Sequence, residues 1–185
     1  MQIITRNGSF DSMHRVMNEK MKCFNIHGHT YLYELSFSFS EEKSIGYAID
    51  FKEIKRVAAQ WIDDVLDHGA ILNPHDLSLV SIAEELSSKY WIMSLNGSNE
   101  YCNPTVENIV REMFFAMEVL FQNYESLKIE SIKLYETPNC HTTLKSTDIV
   151  GHLQVQRMNW RSKNHQSVLN YAKEKGVLEY DDRNN

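Results

Sequence analysis

From Tyr31 to Phe39 the chain runs Tyr-Leu-Tyr-Glu-Leu-Ser-Phe-Ser-Phe, with an apolar or aromatic side chain at every second position. A period of two places those side chains on one face of a strand, whereas on a helix they would scatter around the axis. Residues 2–6, apolar and β-branched ahead of Asn7-Gly8, predict a strand before this one. Ile129 to Tyr135 predicts another after it, and Thr142 to Val155 one or two more. Gly46 to Phe51 reads as a short third strand. Between these segments the apolar period becomes helical: Ile54, Val57, Ala58, Trp61, Ile62, Val65 and Leu66 form a stripe, with Asp50 placed to cap it. Leu77 to Trp91 predicts a second helix and Asn96 to Asn99 a loop. Pro104 then opens a third helix whose apolar face runs from Val106 through Met113 to Phe121. Strands that come in hairpin-like pairs, rather than alternating one by one with helices, indicate an α+β fold on an antiparallel sheet.

A chain of 185 residues, 42% of them hydrophobic, is long enough for one domain with a substantial core. Residues 1–157 are assigned to that domain. The polar stretch 158–185, weakly helical over Asn164 to Lys175, is read as an appendage. A formal charge of −6, with no run of Lys or Arg, argues against a nucleic-acid partner. No segment approaches the roughly 20 apolar residues of a membrane span, and the start lacks a basic and apolar leader, so a soluble cytoplasmic protein is expected. Cys23, Cys102 and Cys140 are odd in number and irregular in spacing, which predicts reduced thiols.

The densest chemistry lies at Lys22-Cys23-Phe24-Asn25-Ile26-His27-Gly28-His29, with His14 shortly before it. If His29 opens the Tyr31 strand, His27 and His29 point to one face, and His14 can add a third imidazole from a neighbouring strand. Three imidazoles with an open fourth position suit a catalytic zinc ion. The alternatives are scattered surface histidines, or a closed structural site with Cys23 as the fourth ligand. Three further pieces have ordinary explanations when taken singly. Asp67-His68 can be a turn at a helix end, Pro104-Thr105-Val106-Glu107-Asn108 a helix N-terminus, and Glu136 a solvated strand end.

Taken in order, these pieces carry a resemblance. Phe10 to His14, Cys23 with His27-Gly28-His29, Gly46 through Asp50-Phe51, Leu66-Asp67-His68 with Leu72-Asn73, Pro104-Thr105 with Glu107-Asn108, and Glu136-Thr137 resemble the motifs of the 6-pyruvoyltetrahydropterin and 6-carboxytetrahydropterin synthase family over about residues 3 to 145. The resemblance implies a tunnelling fold: a four-stranded antiparallel sheet with two helices on one face, whose sheets join into a barrel in a homohexamer with sites between subunits. It also implies that His14, His27 and His29 hold Zn2+, that Cys23 is the general base, and that Asp67 and His68 complete a proton-transfer set. Glu136 would grip the amino-pyrimidine edge of the pterin, and Thr105 would line that pocket.

The chemistry matches the residue types. Dihydroneopterin triphosphate must lose protons from side-chain carbons, a task for a Lewis acid together with a base such as a thiol of lowered pKa. A carboxylate can accept two N–H bonds at once from a guanidine-like edge. The short spacer between Cys23 and His27 resembles the bacterial 6-carboxy enzymes of the queuosine route, which release acetaldehyde and triphosphate. A 6-pyruvoyl enzyme, which eliminates triphosphate, is the second reading, and a non-catalytic zinc-binding scaffold a third. The segment between Asn73 and Pro104 is longer than the motifs require.

Overall fold

The computed structural model describes residues 2–18, 20, 22–40, 46–95 and 102–179. Its frame is a long antiparallel hairpin of β1 (Gln2–His14) and β2 (His27–Phe39), in register from Gln2 opposite Phe39 to His14 opposite His27. On the far side of β2 lies β5 (Leu127–Thr137), followed by β6 (Cys140–Lys145), both antiparallel to their neighbours. Beside the end of β1, β3 (Gly69–Leu72) pairs in parallel at Ser12 and Met13, and β4 (Tyr90–Ile92) pairs in parallel with β3. The order is β4-β3-β1-β2-β5-β6. The four antiparallel strands expected from the sequence are therefore present, extended among the described residues to six by two short parallel strands, in a sheet that does not close on itself there.

The alternation of Tyr31 to Phe39 is visible as burial. Tyr31, Tyr33, Leu35 and Phe37 are sealed against the helices, while Leu32 on the opposite face is 43% exposed. Three sequence expectations change. Residues 46–50 form no strand: Ile49 is buried and Asp50 caps the helix, its carboxylate accepting from Lys52 N at 2.8 Å. That helix runs as α1 (Phe51–Ile54), a π-helical turn (Lys55–Ala59) and α2 (Gln60–Val65). The predicted second helix stops as α3 (Leu77–Glu85), because Tyr90-Trp91-Ile92 goes to the sheet edge instead. The last strand ends at Lys145, where Asp148 accepts from the Lys145 N–H and tightens the chain into a 3-10 turn. Gly151, at φ 55°, then reverses the chain into α5 (His152–Lys163). The loop expected at 96–99 lies outside the described residues.

The helix α4 (Val106–Leu120) is buried on nearly every side. It packs on β5 and β6 through one face and on α5 and α6 (His165–Glu174) through the other. Trp160, Val168, Ala172 and Val177, all from the C-terminal stretch, join the same core as the sheet. At its centre the Glu112 carboxylate accepts from the indole N–H of Trp91 (3.1 Å) and Trp160 (2.6 Å), from Ser94 N (2.6 Å) and from Asn164 Nδ2 (3.2 Å).

Candidate metal centre and surrounding groups

The β1–β2 register decides where the histidines point. Directly opposed residues of an antiparallel pair share a face, so His14 and His27 meet, and Ser12 opposite His29 brings the third ring to the same side. Ring centroids are 4.5 Å apart for His14–His27, 5.2 Å for His14–His29 and 5.0 Å for His27–His29. One nitrogen from each lies within 4.8 Å of the others. The strands approach closely at Gly28, where a Cβ would stand 3.1 Å from the Ser12 carbonyl oxygen.

Backbone carbonyls set the tautomers. His14 Nδ1 is 2.6 Å from Pro104 O, and His27 Nδ1 is 2.7 Å from Asn25 O. A carbonyl only accepts, so each Nδ1 carries a proton, and in the neutral ring the lone pair is then on Nε2. His14 Nε2 and His29 Nε2 are buried without a hydrogen-bond partner. Burial lowers the His14 pKa to about 4 against the opposing pull of the Pro104 carbonyl, and the other two imidazoles push the same way as burial. Buried polar nitrogens with no partner are costly. Neutral, inward-aimed lone pairs are what a metal ion requires, so the donor set fits one. The histidines are thus a convergent cluster, not scattered surface groups, and Cys23 stands outside it on the exposed turn Lys22–Phe24.

Glu136 comes near the cluster through an irregularity. The β5–β6 register slips between Tyr135 and Thr137, leaving Glu136 unpaired with β6, and such a bulge re-aims a side chain. Its Oε1 lies 3.8 Å from His14 Nε2. Asp67 and His68 form a dyad on the turn before β3. Asp67 Oδ2 is 2.6 Å from His68 Nδ1, and Asp67 Oδ1 accepts from Asp11 N at 2.7 Å. Burial would raise the Asp67 pKa, but the Asp11 N–H and His68 outweigh it and hold the carboxyl below its ordinary value. His68 sits at φ 53° with its ring 78% exposed, and it lines with His29, Asp11 and Thr30 a cleft of about 470 Å³. Thr105 is half-buried as the N-cap of α4, its hydroxyl accepting from Asn108 N, next to the Pro104 carbonyl that holds His14.

Several supporting groups carried no signal in the sequence. The carbonyls of Asn25 and Pro104 are anonymous there. Asn103, which accepts from Met17 N (2.9 Å) and Asn73 Nδ2 (2.8 Å), is joined only by the fold to partners far away in the chain. Asp76, which grips Arg15, is the same kind of case.

A family model described as 6-pyruvoyl tetrahydropterin synthase matches residues 3–147. The chain belongs to that family. The 6-carboxy-5,6,7,8-tetrahydropterin synthase of Rickettsia bellii is 36% identical over 141 residues, 74% of this chain and 94% of the relative. Among solved structures, the uncharacterized protein WS1659 from Wolinella succinogenes superposes with a TM-score of 0.62 at 18% identity, covering 78% of this chain and 98% of that one. The 6-pyruvoyl tetrahydropterin synthase of Caenorhabditis elegans superposes with a TM-score of 0.52 at 23% identity, covering 79% and 97%. At such identities the structural matches speak for the fold, and the fold is the tunnelling fold of this family. The family match ends at residue 147, so α5 and α6 lie beyond it.

Proposed function

We propose that this enzyme converts 7,8-dihydroneopterin triphosphate to 6-carboxy-5,6,7,8-tetrahydropterin, releasing acetaldehyde and triphosphate, as the queuosine route requires. The observation that carries the reading is the convergence of three imidazoles with a carboxylate beside them, in a chain whose curated relative bears the 6-carboxy name. His14, His27 and His29 are assigned as ligands of Zn2+, their Nε2 lone pairs fixed by the carbonyls behind His14 and His27. When bound, zinc supplies Lewis acidity toward the oxygens of the substrate side chain.

The protein's own groups do the rest. Glu136 accepts two N–H bonds from the amino-pyrimidine edge and so anchors the substrate. Thr105 lines the same pocket while capping α4. The Cys23 thiolate takes a proton from a side-chain carbon. Asp67 holds the proton on His68 Nδ1, leaving Nε2 free to accept a proton or return one.

We place the protein in the cytoplasm as a homohexamer. Among the described residues β6 is paired on one side only, and β1 meets β3 only at Ser12 and Met13, so edges remain that a second copy can extend into a barrel. Catalysis is assigned to residues 1–157 and a supporting role to the segment from 158 onward.

The test is incubation of the purified protein with dihydroneopterin triphosphate and identification of the products by mass. Formation of 6-carboxytetrahydropterin with acetaldehyde is expected. Accumulation of 6-pyruvoyltetrahydropterin would transfer the chain to the other activity, and an unchanged substrate would favour a non-catalytic scaffold.

A further inference from the structure

The turn that carries Cys23, Lys22–Phe24, contains no buried side chain, so core packing does not set its position. It is tied instead to the segment that follows β1. Val16 N donates to the Cys23 carbonyl at 2.8 Å, and the guanidinium of Arg15 lies over the Phe24 ring, its carbon 5.1 Å from the centroid. Arg15 is in turn gripped by Asp76: Nε donates to Oδ2 and Nη2 to Oδ1, the latter at 2.8 Å.

Asp76 is a rigid anchor. It is 3% exposed, its N–H donates to Asn73 O at 3.0 Å, and its carboxylate caps α3 through Leu79 N. A bidentate fork holds the guanidinium in one orientation, with its carbon over the Phe24 ring. Phe24 itself is 46% exposed, and the guanidinium is a support for its ring. Beyond Val16, Met17 N donates to Asn103 Oδ1 and Asn103 Nδ2 donates to Met17 O, both at 2.9 Å, so the platform is clamped at its far end as well.

We infer that Asp76, Arg15 and Phe24 form a strut that positions the Cys23 thiol, and that the role of Arg15 is orientation rather than charge, since Asp76 already balances that charge. The inference rests on the reading of Cys23 as the base. It gives part of the segment between Asn73 and Pro104 a task in the site: the helix capped by Asp76 holds, through one arginine, the turn that presents the thiol. The three act through Cys23, so they are positioning residues.

The test uses as-purified Asp76→Asn, Arg15→Lys, Phe24→Ala, Phe24→Tyr and Cys23→Ala proteins. Metal content, kcat and KM for dihydroneopterin triphosphate are measured, together with iodoacetamide labelling of Cys23 relative to the exposed Cys140 in the same molecule. Misplacing a reacting group by about an ångström costs on the order of a hundredfold. Asp76→Asn, Arg15→Lys and Phe24→Ala should therefore lower kcat by about tenfold to a hundredfold with KM and metal content held, and should change the labelling ratio of Cys23 to Cys140. Phe24→Tyr should restore the wild-type kcat. Wild-type kcat in Arg15→Lys, or in Phe24→Ala, with Cys23→Ala inactive, overturns the strut. Full activity in Cys23→Ala overturns the reading beneath it instead. Phe24→Ala keeps the question answerable if loss of the part-buried ion pair with Arg15 prevents Asp76→Asn from folding, because Phe24 lies at the surface.

Discussion

Replacing Glu112 with leucine should destabilise the protein by about 3 kcal/mol, a figure set by two opposing effects. The carboxylate is fully buried, and burial pushes its pKa from 4.5 up to about 7 despite the N–H donors of Ser94, Trp91, Asn164 and Trp160 aimed at it. At about 1.4 kcal/mol per pH unit, that displacement costs the ionised form about 3 kcal/mol, which leucine recovers. Leucine, however, leaves two indole N–H groups and the buried Ser94 N–H without an acceptor. At about 2 kcal/mol each, that is a loss of about 6 kcal/mol, whereas the half-buried Asn164 can turn to water. The net loss of about 3 kcal/mol corresponds to a fall in Tm of about 6 to 12 °C for a chain of this size. Calorimetry or circular dichroism melts across pH supply a second arm. Below pH 4.5 the carboxyl is protonated in both folded and unfolded states. Between 4.5 and about 7 the unfolded chain ionises first, so the proton-linked part of the Glu112 contribution, about 3 kcal/mol, falls as pH rises and is lost once the pH passes about 7, leaving the net loss of about 3 kcal/mol for the variant. Melts of Glu112→Leu should lack that slope, so the gap between wild type and variant should be widest near pH 4.5. A variant that melts within a degree of wild type, or a gap that is flat from pH 4.5 to 8, would refute the reasoning.

Two further perturbations address the site. His27→Ala should retain little of the zinc bound by wild type on metal analysis, whereas Glu136→Gln should keep its zinc and bind substrate more weakly by about 1.5–3 kcal/mol, the worth of a charge-assisted contact. Equal zinc in wild type and His27→Ala would remove the metal site. Sedimentation should find an oligomer, and Cys23→Ala and His68→Ala proteins, each inactive alone, should regain part of the activity after joint dissociation and reassembly. A stable, fully active monomer would sink the shared site.

How much of this was legible in the sequence depended on the range of the interaction concerned. The alternation of Tyr31 to Phe39 set both the strand and its buried face, because a period of two is a property of neighbouring residues. The helix capped by Asp50 and the long helix after Pro104 were legible for the same reason, since stripe and cap lie within a few residues of one another. His27 and His29 could be placed on one face by counting. Tyr90 to Ile92 could not be assigned by counting: a three-residue strand at a parallel edge has no period of its own and exists because β3 lies beside it. Gly46 to Asp50 went wrong the other way, with residues of strand character that no neighbouring strand pairs. The polar stretch after residue 157 reads as an appendage, and its Trp160, Val168 and Ala172 lie in the core, because a few apolar side chains on a helix are enough to bury one face of it.

The sequence alone determined the inventory: which strands and helices the local patterns favour, and three histidines, one thiol, one Asp-His pair and one glutamate in a recognisable order. Only the tertiary structure decided their relations. The register that sets His14 opposite His27, the slip that turns Glu136 toward them, the Pro104 carbonyl that fixes the His14 tautomer and the Asp76 grip on Arg15 all join residues far apart in the chain. Such pairings arise from strand register and packing, which are settled cooperatively by the whole core, and so no local stretch of sequence encodes them.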